Sequence, residues 1–258
     1  KGVKFRWSNI DELSSKPVTG VIIANELLDA FPVERLVFRE DKVFRQGVSL
    51  KKRNQEYFIE FVDLKPTKAI QNFLKDAESI LGIEFPPDDI SNGWTTEWHR
   101  DLPGWFKKLS KTLINGSLLV VDYAMESKRY YKPSRKTGTL ISYKNQEANT
   151  NLFKDAGLCD LTSHLCLEST ITYAKRNGWI FLGEARQGQA LLALGLSKLL
   201  YSLQTLASED FSLALNRRES LLRLVDPMGL GEFRWLAFQK NSCNDFVLRT
   251  RFLDEPIN

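Results

Sequence analysis

The sequence predicts an α/β fold built on a doubly wound sheet, and three observations carry that prediction. Residues 18–24 form an apolar, largely β-branched run without alternation. That is the pattern of a parallel strand buried on both faces. The run stops abruptly at the polar pair Asn25-Glu26, and a second run over 117–122 ends in the same way at Asp122-Tyr123. Helical patterns alternate with such strands, as doubly wound sheets require. Ligands of open α/β sheets sit beyond the carboxyl ends of the strands. Asn25, Glu26, Asp122 and Tyr123 therefore stand where chemistry is expected.

After Glu26, residues 27–30 resume with helical character until Pro32 closes them. Residues 34–39, 42–48 and 57–60 alternate and read as an antiparallel β-meander with one solvated face, part of an insertion over about 34–93. Lys51-Lys52-Arg53 reads as its solvated hairpin tip. Residues 67–82 read as an amphipathic helix with Ile70, Phe73, Leu74 and Ile80 inward. Residues 95–113 read as a longer helix, interrupted near Pro103-Gly104 and stopped by Asn115-Gly116. Residues 130–139 are a polar, aromatic loop broken by Pro133 and Gly138. A helix over 167–176 and a strand over 179–185 follow. Three helices come next, over 189–194, 197–207 and 211–224, then a late strand over 233–239, with 246–252 as a further candidate. The whole is expected to be a single α/β domain over 1–258, with a helical segment near its C-terminus.

Bulk properties narrow the classes. With 258 residues, 43% hydrophobic and 26% charged, the chain has the composition of an ordinary globular protein with a sizeable core. Its formal charge of +4 is slight, and Lys and Arg are scattered, so no nucleic-acid partner is indicated. No stretch approaches the roughly 18 apolar residues of a membrane helix, so no membrane insertion is expected. Cys159, Cys166 and Cys243 make no CxxC pair, which suits a reducing compartment. With His99 and His164 as the two histidines, no metal site is expected.

Several segments together resemble one family. They are Ala24-Asn25-Glu26-Leu27-Leu28-Asp29-Ala30 with Pro32-Val33, then Thr96-Glu97, Leu118 to Tyr123, and Tyr130-Tyr131-Lys132-Pro133 with Gly138-Thr139-Leu140. Asp160-Leu161-Thr162-Ser163-His164, Gly188-Gln189-Ala190-Leu191-Leu192 and Met228-Gly229 complete the series. In this order they resemble the MidA-like proteins, class I S-adenosylmethionine-dependent methyltransferases. The mitochondrial members include a complex I assembly factor described as a protein arginine methyltransferase. Three positions depart from the family pattern: Glu34 stands where a basic residue or His is usual, Ala124 follows Tyr123 in place of Gly, and Leu165-Cys166-Leu167 follows His164 in place of Val-Asp-Phe.

The resemblance implies a partial class I (Rossmann-like) methyltransferase fold in which residues 18–24 are the fourth strand. The glycine-rich turn that cradles the cofactor is expected upstream of Lys1, in an amino-terminal half that this sequence lacks. The implied activity is methyl transfer from S-adenosylmethionine to an arginine of a protein substrate, in support of respiratory complex assembly. The implied compartment is a bacterial cytoplasm or a mitochondrial matrix, with a homodimer left open. Arginine presents a permanently charged, forked guanidinium that pairs best with carboxylates. Glu26 is the candidate catalytic carboxylate, with Asp29 beside it. Asn25 is the candidate for the cofactor's amino-acid portion, and Asp122, Tyr123 and His164 are candidates for substrate contact. Each has a plainer reading: Asn25 and Asp29 as caps of the following helix, Asp122-Tyr123 as a cap with a half-buried ring, His164 as a hydrogen-bonded structural residue. Glu97 reads as a favourable charge in the first turn of a helix. Two other functions stay open: a non-catalytic assembly or scaffolding protein on the same fold, and a nucleotide-dependent oxidoreductase, weakened by the lack of a dinucleotide fingerprint.

Overall fold

A computed structural model describes residues 3–40, 42–241 and 250–255. The chain begins with α1 (Ile10–Ser15), β1 (Val18–Asn25), β2 (Glu34–Arg39), β3 (Lys42–Arg53), β4 (Glu56–Leu64), α2 (Lys68–Leu81), β5 (Trp94–Trp98) and α3 (Leu102–Leu109). It continues with β6 (Leu113–Asp122), β7 (Ala124–Met125), α4 (Ser127–Tyr130), β8 (Ile141–Lys144), β9 (Glu147–Asn149), β10 (Asp160–Thr162) and β11 (Leu165–Cys166). Then come α5 (Leu167–Arg176), β12 (Ile180–Arg186), α6 (Gln187–Ala193), α7 (Leu196–Glu209), α8 (Phe211–Arg223) and β13 (Arg234–Lys240). The architecture is mixed α/β. Two compact units divide it: Lys1–Asn25 with Phe106–Tyr123 and Ala174–Asn258, and Glu26–Trp105 with Ala124–Tyr173.

The first unit is built on a sheet of order β1-β6-β13-β12. β1 runs parallel to β6, while β13 is antiparallel to both of its neighbours. Leu118, Val120, Leu236 and Phe238 are fully buried in this sheet. Phe106 packs edge-on against Phe238, and its carbonyl accepts the Trp179 indole N–H at 3.2 Å. Gly116 does not stop a helix. It lies inside β6 opposite Gly20 of β1, and a Cβ there would collide with the Gly20 carbonyl oxygen. Close backbone approach is the reason for glycine at that position.

β1 departs from the doubly covered strand that its composition predicts. Among the described residues it is an edge strand with β6 as its one hydrogen-bonded neighbour, and Val18, Val21 and Ile23 are 50%, 48% and 68% exposed. Ala24 is its one buried residue.

The second unit holds an antiparallel sheet of order β4-β3-β2-β5, the meander expected from its alternating segments, with β5 added. α2 buries Ile70, Phe73, Ala77 and Ile80, is capped by the Thr67 hydroxyl, and ends at left-handed Gly82. Residues 95–113 are not one helix. Trp94 to Trp98 form β5, paired with β2 from Glu34↔Trp98 to Phe38↔Trp94, and every residue of the strand is buried. Threonine and tryptophan suit a packed strand, and the helix α3 begins only at Leu102, with Pro103 in the first turn where it is tolerated. Phe73 stacks on Trp98 at 4.7 Å, and Trp98 Nε1 donates to the Tyr173 hydroxyl at 2.8 Å.

Residues 27–30 form a turn, closed by Phe31 N donating to Leu28 O at 3.1 Å. With no helix there, the capping reading of Asn25 and Asp29 falls. Glu34 stands buried between the guanidinium groups of Arg45 and Arg100, which accounts for an acid at that place. The later helices and strands fall within a few residues of expectation. Of the candidate strand over 246–252, residues 246–249 lie outside the described residues, and Arg251–Leu253 is a 3-10 turn. β7 to β11, two to four residues each, are too short to show a periodic pattern.

Candidate functional site

In the first unit, Asn25 closes β1 opposite Val121, so Asp122 is the next residue along the neighbouring parallel strand. The two polar residues thus finish adjacent strands at their carboxyl ends. Asn25 is exposed, and Asp122 is fully buried with Oδ1 accepting from Tyr123 N at 2.9 Å. Arg234 stands opposite Asp122 on β13 and binds both carboxylate oxygens of Glu184 at 3.1 and 2.9 Å. The Tyr123 ring, 36% exposed, packs edge-on against Phe233. The chain leaves this unit immediately after Asn25 and again after Tyr123.

In the second unit, Glu26 is exposed and has φ +45°. A left-handed glutamate outside a helix cap is uncommon, and such backbone outliers concentrate at functional sites. Asp29 is buried, and its carboxyl is held above the ordinary carboxylate range, first by burial and then by the Glu26 charge. The Asp29 carbonyl accepts from Ser163 N at 3.0 Å. The Ser163 hydroxyl lies 3.0 Å from His99 Nε2, and both side chains are buried. Burial lowers His99 to about 4, so it is neutral near pH 7.

His164, the next residue, is tied on its other side. Its N–H donates to Thr139 Oγ1 at 3.2 Å. Thr139 Oγ1 in turn lies 3.3 Å from Glu97 Oε2 and 3.3 Å from the Tyr130 hydroxyl, and Thr139 N donates to Glu97 Oε2 at 2.7 Å. Arg35 Nε binds Glu97 Oε1 at 3.3 Å. Burial raises the Glu97 carboxyl, an effect that the Arg35 charge opposes. Gly138 has φ +75°, and a Cβ there would strike the Glu97 carboxylate. His164 is lowered to about 4 by burial and then by the charges of Arg135 and Arg129, so it offers a neutral ring and a weak base. The Arg135 Nε is buried without a hydrogen-bond partner among the described residues.

The network therefore joins Asp29, Glu97, Thr139, Ser163 and His164, drawn from four segments far apart in the chain. Glu97 lies in β5 and His99 directly follows its last residue, Trp98, and a helix over 95–113 could not have placed them so. Sequence reading missed Glu97 as an organising residue, along with His99, Ser163 and Thr139. The pair Gly138-Thr139 was the available signal. Cys166 is no reactive thiol, because burial raises it to about 11. Among the described residues no group of three or more His, Cys, Asp or Glu side chains could hold a metal ion. No described helix is long and apolar enough to cross a membrane.

This mixed α/β arrangement is that of a methyltransferase-like fold. Residues 1–185 match the sequence profile of the family described as "Putative S-adenosyl-L-methionine-dependent methyltransferase", and the chain belongs to that family. It is similar to a crystal structure of an uncharacterized Burkholderia thailandensis protein, with a TM-score of 0.74 and 25% identity over 94% of this chain and 60% of that one. A second Burkholderia thailandensis structure, bound to S-adenosyl-homocysteine, gives a TM-score of 0.73 and 22% identity over 94% of this chain and 58% of that one. The chain thus spans 60% or less of the length of these two structures. No curated protein matches it.

Proposed function

We propose that the chain is part of a class I S-adenosylmethionine-dependent methyltransferase of MidA type that methylates an arginine of a protein substrate and supports respiratory complex assembly. Family membership supports methyl transfer. The parallel pair β1 and β6 supports the class I reading, with β1 as the fourth strand. The exposed outer edge of β1 supports a sheet that continues past it, since unpaired strand edges call for cover. The arginine acceptor and the respiratory role rest on the motif resemblance.

The observation that carries the site is the end of β1, where Asn25 and left-handed Glu26 are both exposed. The donor set fits the charged amino-acid end of the cofactor: the Asn25 amide can donate to its carboxylate and accept from its ammonium. When bound, S-adenosylmethionine supplies a methyl group on a good leaving group. The chain's task is then alignment and charge stabilisation. Glu26 accepts guanidinium N–H groups in a two-point contact that fixes which nitrogen faces the donor. Its charge also stabilises positive charge building on that nitrogen. Asp29, whose carboxyl is raised by burial and by the Glu26 charge, is the second carboxyl group of the site. Tyr123 and His164 supply further substrate contacts, and the buried Asp122, expected as one from the sequence, instead accepts from Tyr123 N.

Titrating S-adenosylmethionine calorimetrically and following labelled methyl transfer into extract proteins tests this, with the modified residue read by mass spectrometry. Methylarginine is expected. Binding without transfer favours the assembly-protein reading, and absence of binding removes both.

A further inference from the structure

A groove of about 700 Å³ opens in the second unit, lined by none of the site residues assigned above. Its apolar floor comes from Phe38, Val43, Leu74 and Phe85. Phe38 and Phe85 are buried and pack edge-on with ring centroids 5.8 Å apart, so the floor is a fixed aromatic surface. Four carboxylates edge it: Glu40, Glu78, Glu84 and Asp88. All four are exposed, and none is ion-paired to another described residue. Among the described residues the lining holds no Lys, Arg or His, although the chain as a whole carries a formal +4.

Solubility does not require like charges to gather around an apolar floor. An apolar groove with an uncompensated negative rim selects an occupant that brings both apolar surface and positive charge. A metal ion is excluded, because no described cluster of carboxylates is close enough to hold one. The volume lies within the range of about 300–1,000 Å³ typical of ligand-binding clefts, too large for a lone cation. We infer that the groove binds a basic segment of the protein substrate, with Arg or Lys side chains over the rim acids and an intervening apolar residue on the Phe38–Phe85 floor. Naming that segment as substrate rests on the proposed function. The binding chemistry does not.

The test uses the whole chain and a fluorescein-labelled decapeptide with arginines flanking a Leu-Phe pair. A twin peptide carries citrulline, which is neutral and of nearly the same shape, in place of each arginine. Anisotropy is expected to show binding to the arginine peptide that weakens with salt, at least roughly tenfold weaker binding of the twin, and a similar loss in Glu78→Lys/Glu84→Lys. Both positions are exposed, so folding is not at stake. The Gln/Gln counterpart is expected to fall between. Equal affinity for the two peptides, or unchanged affinity in the Lys/Lys variant, overturns the inference. Peptide binding without methyl transfer would remove the enzymatic reading and leave the groove. Transfer with an unchanged KM for a basic protein substrate in the Lys/Lys variant would remove the groove and leave the enzyme.

Discussion

The Ser163 backbone N–H donates to the Asp29 carbonyl over 3.0 Å. The turn that carries Glu26 and Asp29 is therefore held by a residue more than 130 positions further along the chain, and Ser163 is itself bonded to His99. Glu97, two residues before His99, holds the neighbouring residue His164 through Thr139. β5 and the residue that follows it thus position two candidate site segments. Ser163→Ala keeps the backbone bond but leaves a buried imidazole nitrogen without its partner. The expected loss is about 1–3 kcal/mol of stability, measured by calorimetric unfolding.

His99 makes stability depend on pH. Its pKa falls from 6.5 when unfolded to about 4 when folded, so between those values the unfolded chain binds more protons. Stability is complete above the unfolded value and declines as pH falls through that window. The raised Asp29 and Glu97 carboxyls act in the opposite sense, because their ionised forms are disfavoured in the fold. The difference between wild type and His99→Gln isolates the histidine. The melting temperature of the variant should fall less steeply between pH 6.5 and pH 4. Parallel pH curves would refute it.

Glu26→Gln removes the charge while keeping size and hydrogen-bonding capacity. Because Glu26 is exposed, folding should survive. Methyl transfer should drop by roughly two orders of magnitude or more, as when an electrostatic stabiliser of a transition state is lost. Wild-type turnover in single-turnover assays would remove Glu26 from the reaction.

Glu97→Ala leaves the Arg35 guanidinium, whose side chain is 11% exposed, facing a vacated carboxylate site. The expected cost is about 3 kcal/mol, with the larger share due to the stranded charge. Glu97→Gln, which still accepts from Thr139 N, should cost clearly less. Urea denaturation of both variants gives the comparison.

Gly138→Ala meets two obstacles, a φ of +75° and the Glu97 carboxylate in the path of the new Cβ. A loss on the order of 2 kcal/mol or more is expected, beyond the usual glycine entropy effect. Thermal melts check it. Gly157→Ala, also at positive φ but with open space around it, serves as the control for backbone strain alone.

Much of this was readable from residue pattern. The meander, α2, α5 to α8 and the strand over 179–185 have clear periods or caps, and the abrupt polar ends of β1 and β6 marked Asn25 and Asp122. The failures were at Trp94 to Trp98 and at residues 27–30. A five-residue strand buried on both faces has no alternation, so helix and strand are indistinguishable there by period alone. Leu27 to Ala30 have good helical residues but too few of them to offset the cost of nucleation.

The amino-acid order by itself determined the α/β class, the polar strand ends and the motif series, because these depend on interactions between near neighbours. Tertiary structure alone decided that β1 lies at an edge, that Glu97 and Thr139 meet, and that Ser163 closes on Asp29. These are contacts between distant segments, selected by satisfying buried polar groups, and no local window of sequence contains both partners.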